Sequence, residues 1–123
     1  MDVRLLEGEM LSFTLSGPMT LPALQEAGTA IAKTCLERRV PRAFADARPL
    51  SGDLSVLEWH ALAAGFESSW PPGLRLAIVD HAERLKPDRV METTARNRGI
   101  DVRVFAEPDA ALQWLRAWNP ETT

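Results

Sequence analysis

One stretch of the chain, residues 74–79, constrains the fold more than any other, because it is a continuous apolar run interrupted only by Arg75. Such a run, without regular polar alternation, is typical of a strand that is covered on both faces of its sheet. Turn-forming residues precede it at Trp70-Pro-Pro-Gly73, and Lys86-Pro87 marks a helix start after it. We therefore expect a central strand in a sheet with helices on its faces.

Turn residues and apolar periodicity divide the rest of the chain into further strands and four helices. Strands are predicted at residues 3–6, 10–15, 42–48 and 100–105, with a hairpin turn at Glu7-Gly8-Glu9. Helix starts are predicted at Thr20, Ser55, Lys86 and Pro108, and Ser55 and Glu58 form a capping box. With right-handed crossovers, this order predicts one α/β domain over residues 1–123: a five-stranded, mostly parallel sheet with an antiparallel edge strand and four helices.

Charge and cysteine content exclude several kinds of partner and site. The chain has 14 basic and 17 acidic side chains and no basic stripe, so we expect no nucleic-acid partner. Cys35 is the single cysteine, which excludes an intramolecular disulfide, and His60 and His81 lack metal-ligand spacing. We expect neither a metal nor another cofactor. Early charges and the lack of a long apolar run predict no signal peptide, no transmembrane segment and a cytoplasmic location.

The order of elements and the final third of the chain together resemble the SpoIIAA-like family, small bacterial domains related to the STAS anti-sigma-factor antagonists. The similar segments are Leu74-Arg-Leu-Ala-Ile-Val-Asp80, Val102-Arg-Val-Phe105 and Ala111-Leu-Gln-Trp-Leu115, which correspond to that family's penultimate strand, last strand and terminal helix. The small-residue strand that ends at Asp46 also fits. The resemblance implies a SpoIIAA-like, STAS-like fold and a non-enzymatic regulatory module that binds a protein partner or a second copy of itself.

Partner-switching STAS proteins carry an Asp-Ser-Ser-Gly type motif whose serine is phosphorylated where the third strand passes into the second helix. Here the junction reads Asp46-Ala-Arg-Pro-Leu-Ser-Gly-Asp-Leu-Ser55, so Ser51-Gly52 is a partial match at a longer spacing. The resemblance makes Ser51 the candidate phosphorylation site. A phosphate near the first turn of the second helix would be stabilised by its dipole and free amide groups. An ordinary turn serine is the alternative explanation.

Polar residues at the carboxyl ends of the predicted strands form a second candidate surface, because ligands bind there in open α/β sheets. The residues concerned are Asp46, Asp80 and His81, beside Ser51, Asp53 and Ser55. Serine, histidine and carboxylate together suggest a hydrolase. However, the nucleophile-elbow pattern G-x-S-x-G is absent and Ser55 is explained as a helix cap, so we assign no catalytic residue.

Apolar residues on the second predicted helix form a third candidate surface. On the second helix, Leu54, Leu57, Ala61 and Gly65 form one seam, and Trp59, Leu62 and Phe66 form another beside it. The combined arc is wider than one sheet contact needs, so core packing, a partner or a small apolar ligand could cover it. The fold's further resemblance to lipid-binding CRAL-TRIO domains fits a carrier of a hydrophobic or lipid-like molecule, which is our alternative hypothesis. Trp118, near the carboxyl end, is the candidate contact in a homodimer.

Overall fold

Twelve strands and helices are present in the computed structural model, which describes residues 2–6, 9–66, 69–85 and 90–118. In chain order they are β1 (Asp2–Leu6), β2 (Met10–Thr14), β3 (Gly17–Pro18), α1 (Leu21–Arg38), β4 (Arg42–Asp46), β5 (Leu50–Ser51), α2 (Val56–Gly65), β6 (Arg75–Val79), α3 (Ala82–Leu85), α4 (Val90–Asn97), β7 (Val102–Phe105) and α5 (Pro108–Arg116).

Five of the strands form the main sheet in the order β1-β2-β4-β6-β7. The β1–β2 pair is antiparallel and the other three pairs are parallel, so the predicted mostly parallel sheet with an antiparallel edge strand is confirmed. Strand β6, predicted from its apolar run, lies inside the sheet between β4 and β7. The α/β class is therefore confirmed.

Two features of the fold differ from the sequence prediction. The described residues contain five helices rather than four, because the short α3 precedes α4. The predicted helix start at Lys86-Pro87 lies outside the described residues. In addition, β3 and β5 pair in parallel as a second, two-stranded sheet, and the Met19 amide extends that pairing by donating to the Ser51 carbonyl at 2.7 Å. This small sheet was not predicted, because a strand of two residues is too short to show the alternation of apolar and polar side chains that identifies a strand.

Local signals place the starts of α1 and α2 where they were predicted. The Thr20 hydroxyl accepts the Ala23 amide at 3.2 Å, which caps α1. At the start of α2, the Glu58 amide donates to the Ser55 hydroxyl at 3.2 Å, and the Ser55 amide donates to the Glu58 carboxylate at 3.0 Å. The predicted capping box is therefore confirmed in both directions. Gly99, at a φ of 81°, follows α4 in the left-handed conformation that ends the helix.

Each face of the sheet carries its own core. On one face Leu11, Ala43, Leu76 and Val102 pack with residues of α1, α2 and α4. On the other face α5 places Ala111 and Leu115 against a separate cluster that includes Phe44 and Val79. Three helices thus share one face, and this is the face on which the candidate site lies. No helix among the described residues is long and apolar enough to cross a membrane.

Candidate functional site

A cavity of about 240 Å³ lies between the sheet and helices α1, α2 and α4. Its wall is almost entirely apolar, and the ionisable side chains that the structure describes in it are Asp53, Asp80, Arg84 and Glu92. Asp53 and Val56 line the cavity and are also exposed at the protein surface. The mouth of the cavity is therefore at the start of α2.

The floor of the cavity contains a row of neighbouring sheet residues, Ala45, Ile78 and Val104. Ile78 lies on the inner strand β6 but is only half-buried, because the cavity lies over it. The third predicted strand, residues 42–48, carries small alanine side chains, which would let helices pack close to the sheet. At Ala45 and Ala47 they leave part of the cavity open instead.

Helix α2 supplies one wall through the three residues singled out from the sequence. Trp59, Leu62 and Phe66 all line the cavity, with Leu62 buried and the two aromatic residues half-buried. The neighbouring seam is divided: Leu57 is 80% exposed and Ala61 and Gly65 are also exposed, whereas Leu54 is buried and lines the cavity. The wide apolar arc therefore has an inward part at the cavity and an outward part in solvent.

Phe66 is held in place by an unusually close approach of α1. A Cβ atom added to Gly28 would lie only 2.3 Å from the Phe66 Cζ atom, so the absence of a side chain at Gly28 makes room for the ring. On another side the Phe66 ring meets Trp70 edge-on, with ring centroids 5.9 Å apart. These contacts fix the aromatic wall between α1 and the loop that follows α2.

The polar end of the cavity is organised around Asp80, which follows β6 and is 5% exposed. Its Oδ1 atom accepts hydrogen bonds from the His81 amide at 2.8 Å and from Arg84 Nη1 at 3.0 Å. Burial raises the pKa of Asp80 above its usual value, although the His81 amide and the Arg84 charge oppose this effect. Arg84 also donates to the backbone carbonyls of Ala47 and Leu50, so it links the end of β6 to β5.

Of the other predicted strand-end residues, Asp53 lines the cavity, whereas Asp46, Ser51, Ser55 and His81 do not. Asp46 accepts hydrogen bonds from the Arg48 guanidinium at 2.9 Å, which holds the pKa of this carboxyl below its usual value. His81 Nε2 lies 3.0 Å from the Arg48 carbonyl, while the exposed Ser51 hydroxyl donates to the Gly17 carbonyl at 3.4 Å. His81 and Ser51 thus have separate partners, and the geometry does not couple them as a base and a nucleophile.

Trp118 lies away from the cavity, beyond the end of α5. The guanidinium of Arg75 is 5.0 Å from the Trp118 ring and 4.0 Å from the Trp114 ring, and that of Arg42 is 5.7 Å from the Trp118 ring. Arg42 also donates to the backbone carbonyls of Leu115 and Trp118. Trp118 is half-buried by these contacts. Its role in a dimer stays a prediction.

Sequence reasoning missed the α1 side of the cavity and two of its charged residues, Arg84 and Glu92. The Glu92 carboxylate is buried, accepts the Val104 amide at 3.4 Å and lies 3.9 Å from Arg96. For Arg84 a signal existed, because Asp80 and Arg84 have the i, i+4 spacing of a helical ion pair directly after a buried strand. For Glu92 no local pattern marks a buried acid.

Among residues 2–6, 9–66, 69–85 and 90–118, the structure has no group of three or more His, Cys, Asp or Glu side chains that could hold a metal ion. No protein-family model matches the chain, and no curated protein matches it at a significant level.

Proposed function

We propose that this protein binds a small, predominantly apolar molecule in the cavity between the sheet and helices α1, α2 and α4. The observation that carries the proposal is the cavity itself, about 240 Å³ in volume, with Ile78 left half-buried on its floor. A ligand that fills this apolar space would remove both its own apolar surface and that of the lining side chains from water, which favours binding.

The volume also sets the size of the ligand. A dry cavity of about 150 Å³ accommodates benzene, so about 240 Å³ corresponds to a molecule of about ten non-hydrogen atoms. At about 0.7 kcal/mol per atom, such a ligand would bind with a Kd of about 10 µM. Naphthalene is a suitable probe because it has this size and no polar group.

Titration with naphthalene, followed through the indole N–H signals of the labelled protein by NMR, tests the proposal. We expect saturable binding that shifts the Trp59 signal, because Trp59 lines the cavity. The Trp114 signal serves as the internal control, since Trp114 lies on α5 and packs against the core on the opposite face of the sheet. Assignments follow from Trp59→Phe and Trp114→Phe. An unshifted Trp59 signal at saturating naphthalene, or equal shifts of both signals, would contradict the proposal.

A second proposal keeps the regulatory module that the SpoIIAA-like resemblance implies. Its support is the exposure of Ser51 at the end of β5, four residues before the Ser55 cap of α2, where a phosphate would lie near the helix start. Mass spectrometry of the protein isolated from the cells that produce it tests this idea. Phosphate on Ser51 would support it, whereas an unmodified Ser51 under all growth conditions would count against the switch.

A further inference from the structure

One oxygen atom of Asp80 has no hydrogen-bond donor among the residues that the structure describes. Both hydrogen bonds to this carboxylate, from the His81 amide and from Arg84 Nη1, go to Oδ1. None of the described residues donates to Oδ2. Every fully buried side-chain nitrogen or oxygen in the described part of the chain has a partner, so Oδ2 must keep some accessible surface although Asp80 is only 5% exposed. Because Asp80 lines the cavity, we infer that this surface of Oδ2 faces the cavity.

Two of the other ionisable residues of the cavity, Arg84 and Glu92, already have polar partners, whereas Asp53 accepts the Leu54 amide at 2.8 Å and lies exposed at the mouth. Both terminal nitrogens of Arg84 donate to Asp80 or to the backbone carbonyls of Ala47 and Leu50. The carboxylate of Glu92 is occupied by the Val104 amide and the nearby Arg96. The Arg84 guanidinium and the Glu92 carboxylate thus each have protein partners. At the polar end of the cavity, Asp80 Oδ2 is an acceptor that a ligand could satisfy.

The charge of the wall narrows the ligand class further. Among the lining residues that the structure describes, three carboxylates face one guanidinium, and that guanidinium is paired with Asp80. A ligand carboxylate would meet excess negative charge with no cationic partner. An uncharged hydroxyl group would instead donate to Oδ2, and hydrogen bonds to a charged acceptor are among the stronger ones in proteins.

We propose that the bound molecule is an uncharged amphipathic alcohol or phenol of about ten non-hydrogen atoms. Its hydroxyl group donates a hydrogen bond to Asp80 Oδ2. This inference rests on the proposed function. The apolar body of this molecule lies on Ile78 and against Trp59 and Phe66. Carboxylic acids of the same size, including short fatty acids, are disfavoured.

A series of naphthalene derivatives tests this inference by calorimetry at neutral pH. 2-Naphthol and 2-methylnaphthalene have the same number of non-hydrogen atoms and differ in the hydroxyl group. We expect 2-naphthol to bind about tenfold to a hundredfold more tightly. 2-Naphthoate, which carries a carboxylate, is expected to bind more weakly than 2-methylnaphthalene. Equal affinity of the first two compounds, or tightest binding of 2-naphthoate, would overturn the inference.

The variant Asp80→Asn tests whether the Asp80 carboxylate causes the preference for 2-naphthol over 2-methylnaphthalene. Asparagine keeps an oxygen for the His81 amide and Arg84 but replaces the charged acceptor. The ratio of 2-naphthol to 2-methylnaphthalene affinity should fall at least severalfold. Asp46→Asn is the matched control, since Asp46 lies at the same end of the neighbouring strand but outside the cavity wall, and it should keep the wild-type ratio. An unchanged ratio in Asp80→Asn would overturn the assignment.

The failures can be told apart. If none of the naphthalene compounds binds to the wild-type protein, the proposed function is overturned, and this inference with it. If all of them bind without discrimination, the cavity is a binding site but the role of Asp80 is overturned. The wild-type series decides between these outcomes even if Asp80→Asn does not fold.

Discussion

The substitution Ala27→Leu tests whether the cavity is empty space that a side chain can fill. Ala27 lies on α1, is half-buried and lines the cavity. Leucine would place three more carbon atoms there, which contribute about 0.8 kcal/mol each on burial. Lost rotamer freedom costs about 0.5–1 kcal/mol, and the change in helix propensity costs a few tenths. The expected net gain is about 1 kcal/mol in the free energy of unfolding.

Urea unfolding measures this gain directly, and the melting temperature should rise by about 4 °C in a domain of this size. In the same variant the Kd of naphthalene should increase at least tenfold, because the new side chain occupies about a third of the ligand's volume. Ala23→Leu is the matched control on the exposed face of α1, and we expect its stability to stay within about 0.5 kcal/mol of wild type.

Opposite results would refute the reasoning. In a fully packed site, leucine at position 27 would cost about 1–3 kcal/mol, as overpacked core substitutions do. Unchanged naphthalene binding in a stabilised variant would show that the probe binds elsewhere. The combination of higher stability and weaker binding is specific to a fillable ligand cavity, because neither surface substitution nor overpacking produces both.

Two further predictions concern packing and charge. Gly28→Ala should destabilise the protein by about 1–2 kcal/mol in urea unfolding, because the added Cβ atom would clash with Phe66. Gly65→Ala is the control and should be neutral or stabilising, because an added Cβ atom there meets nothing within 4 Å. Equal effects of the two substitutions would contradict the packing argument. Arg48 lowers the pKa of Asp46 in the folded state, so the pair's contribution to stability is present above the ordinary aspartate pKa of about 3.9 and is lost as pH falls through the lower folded-state value. The stability difference between wild type and Asp46→Asn should therefore shrink between about pH 7 and pH 3, and a constant difference would contradict it.

Much of the secondary structure was predictable because its determinants are local. The Ser55–Glu58 capping box and the Thr20 cap each join residues three positions apart, so their hydrogen bonds follow from short sequence patterns. The buried strand β6 was equally clear, since a strand covered on both faces needs an unbroken apolar run. The small sheet of β3 and β5 was not predictable, because it joins Gly17 to Leu50 through two-residue strands.

The candidate site also has a part that was predictable from the sequence and a part that was not. The sequence by itself determined that one face of α2 carries Trp59, Leu62 and Phe66, because helical spacing alone brings them together. Only the tertiary structure decided that this face borders a cavity, since the space depends on how closely α1 approaches at Gly28 and on the small side chain of Ala45. The orientation of Asp80 was likewise decided by tertiary structure, because Arg84 is held by backbone carbonyls of a distant segment. Periodicity shows which residues share a face, whereas the volume left between two faces depends on contacts between residues far apart in the chain.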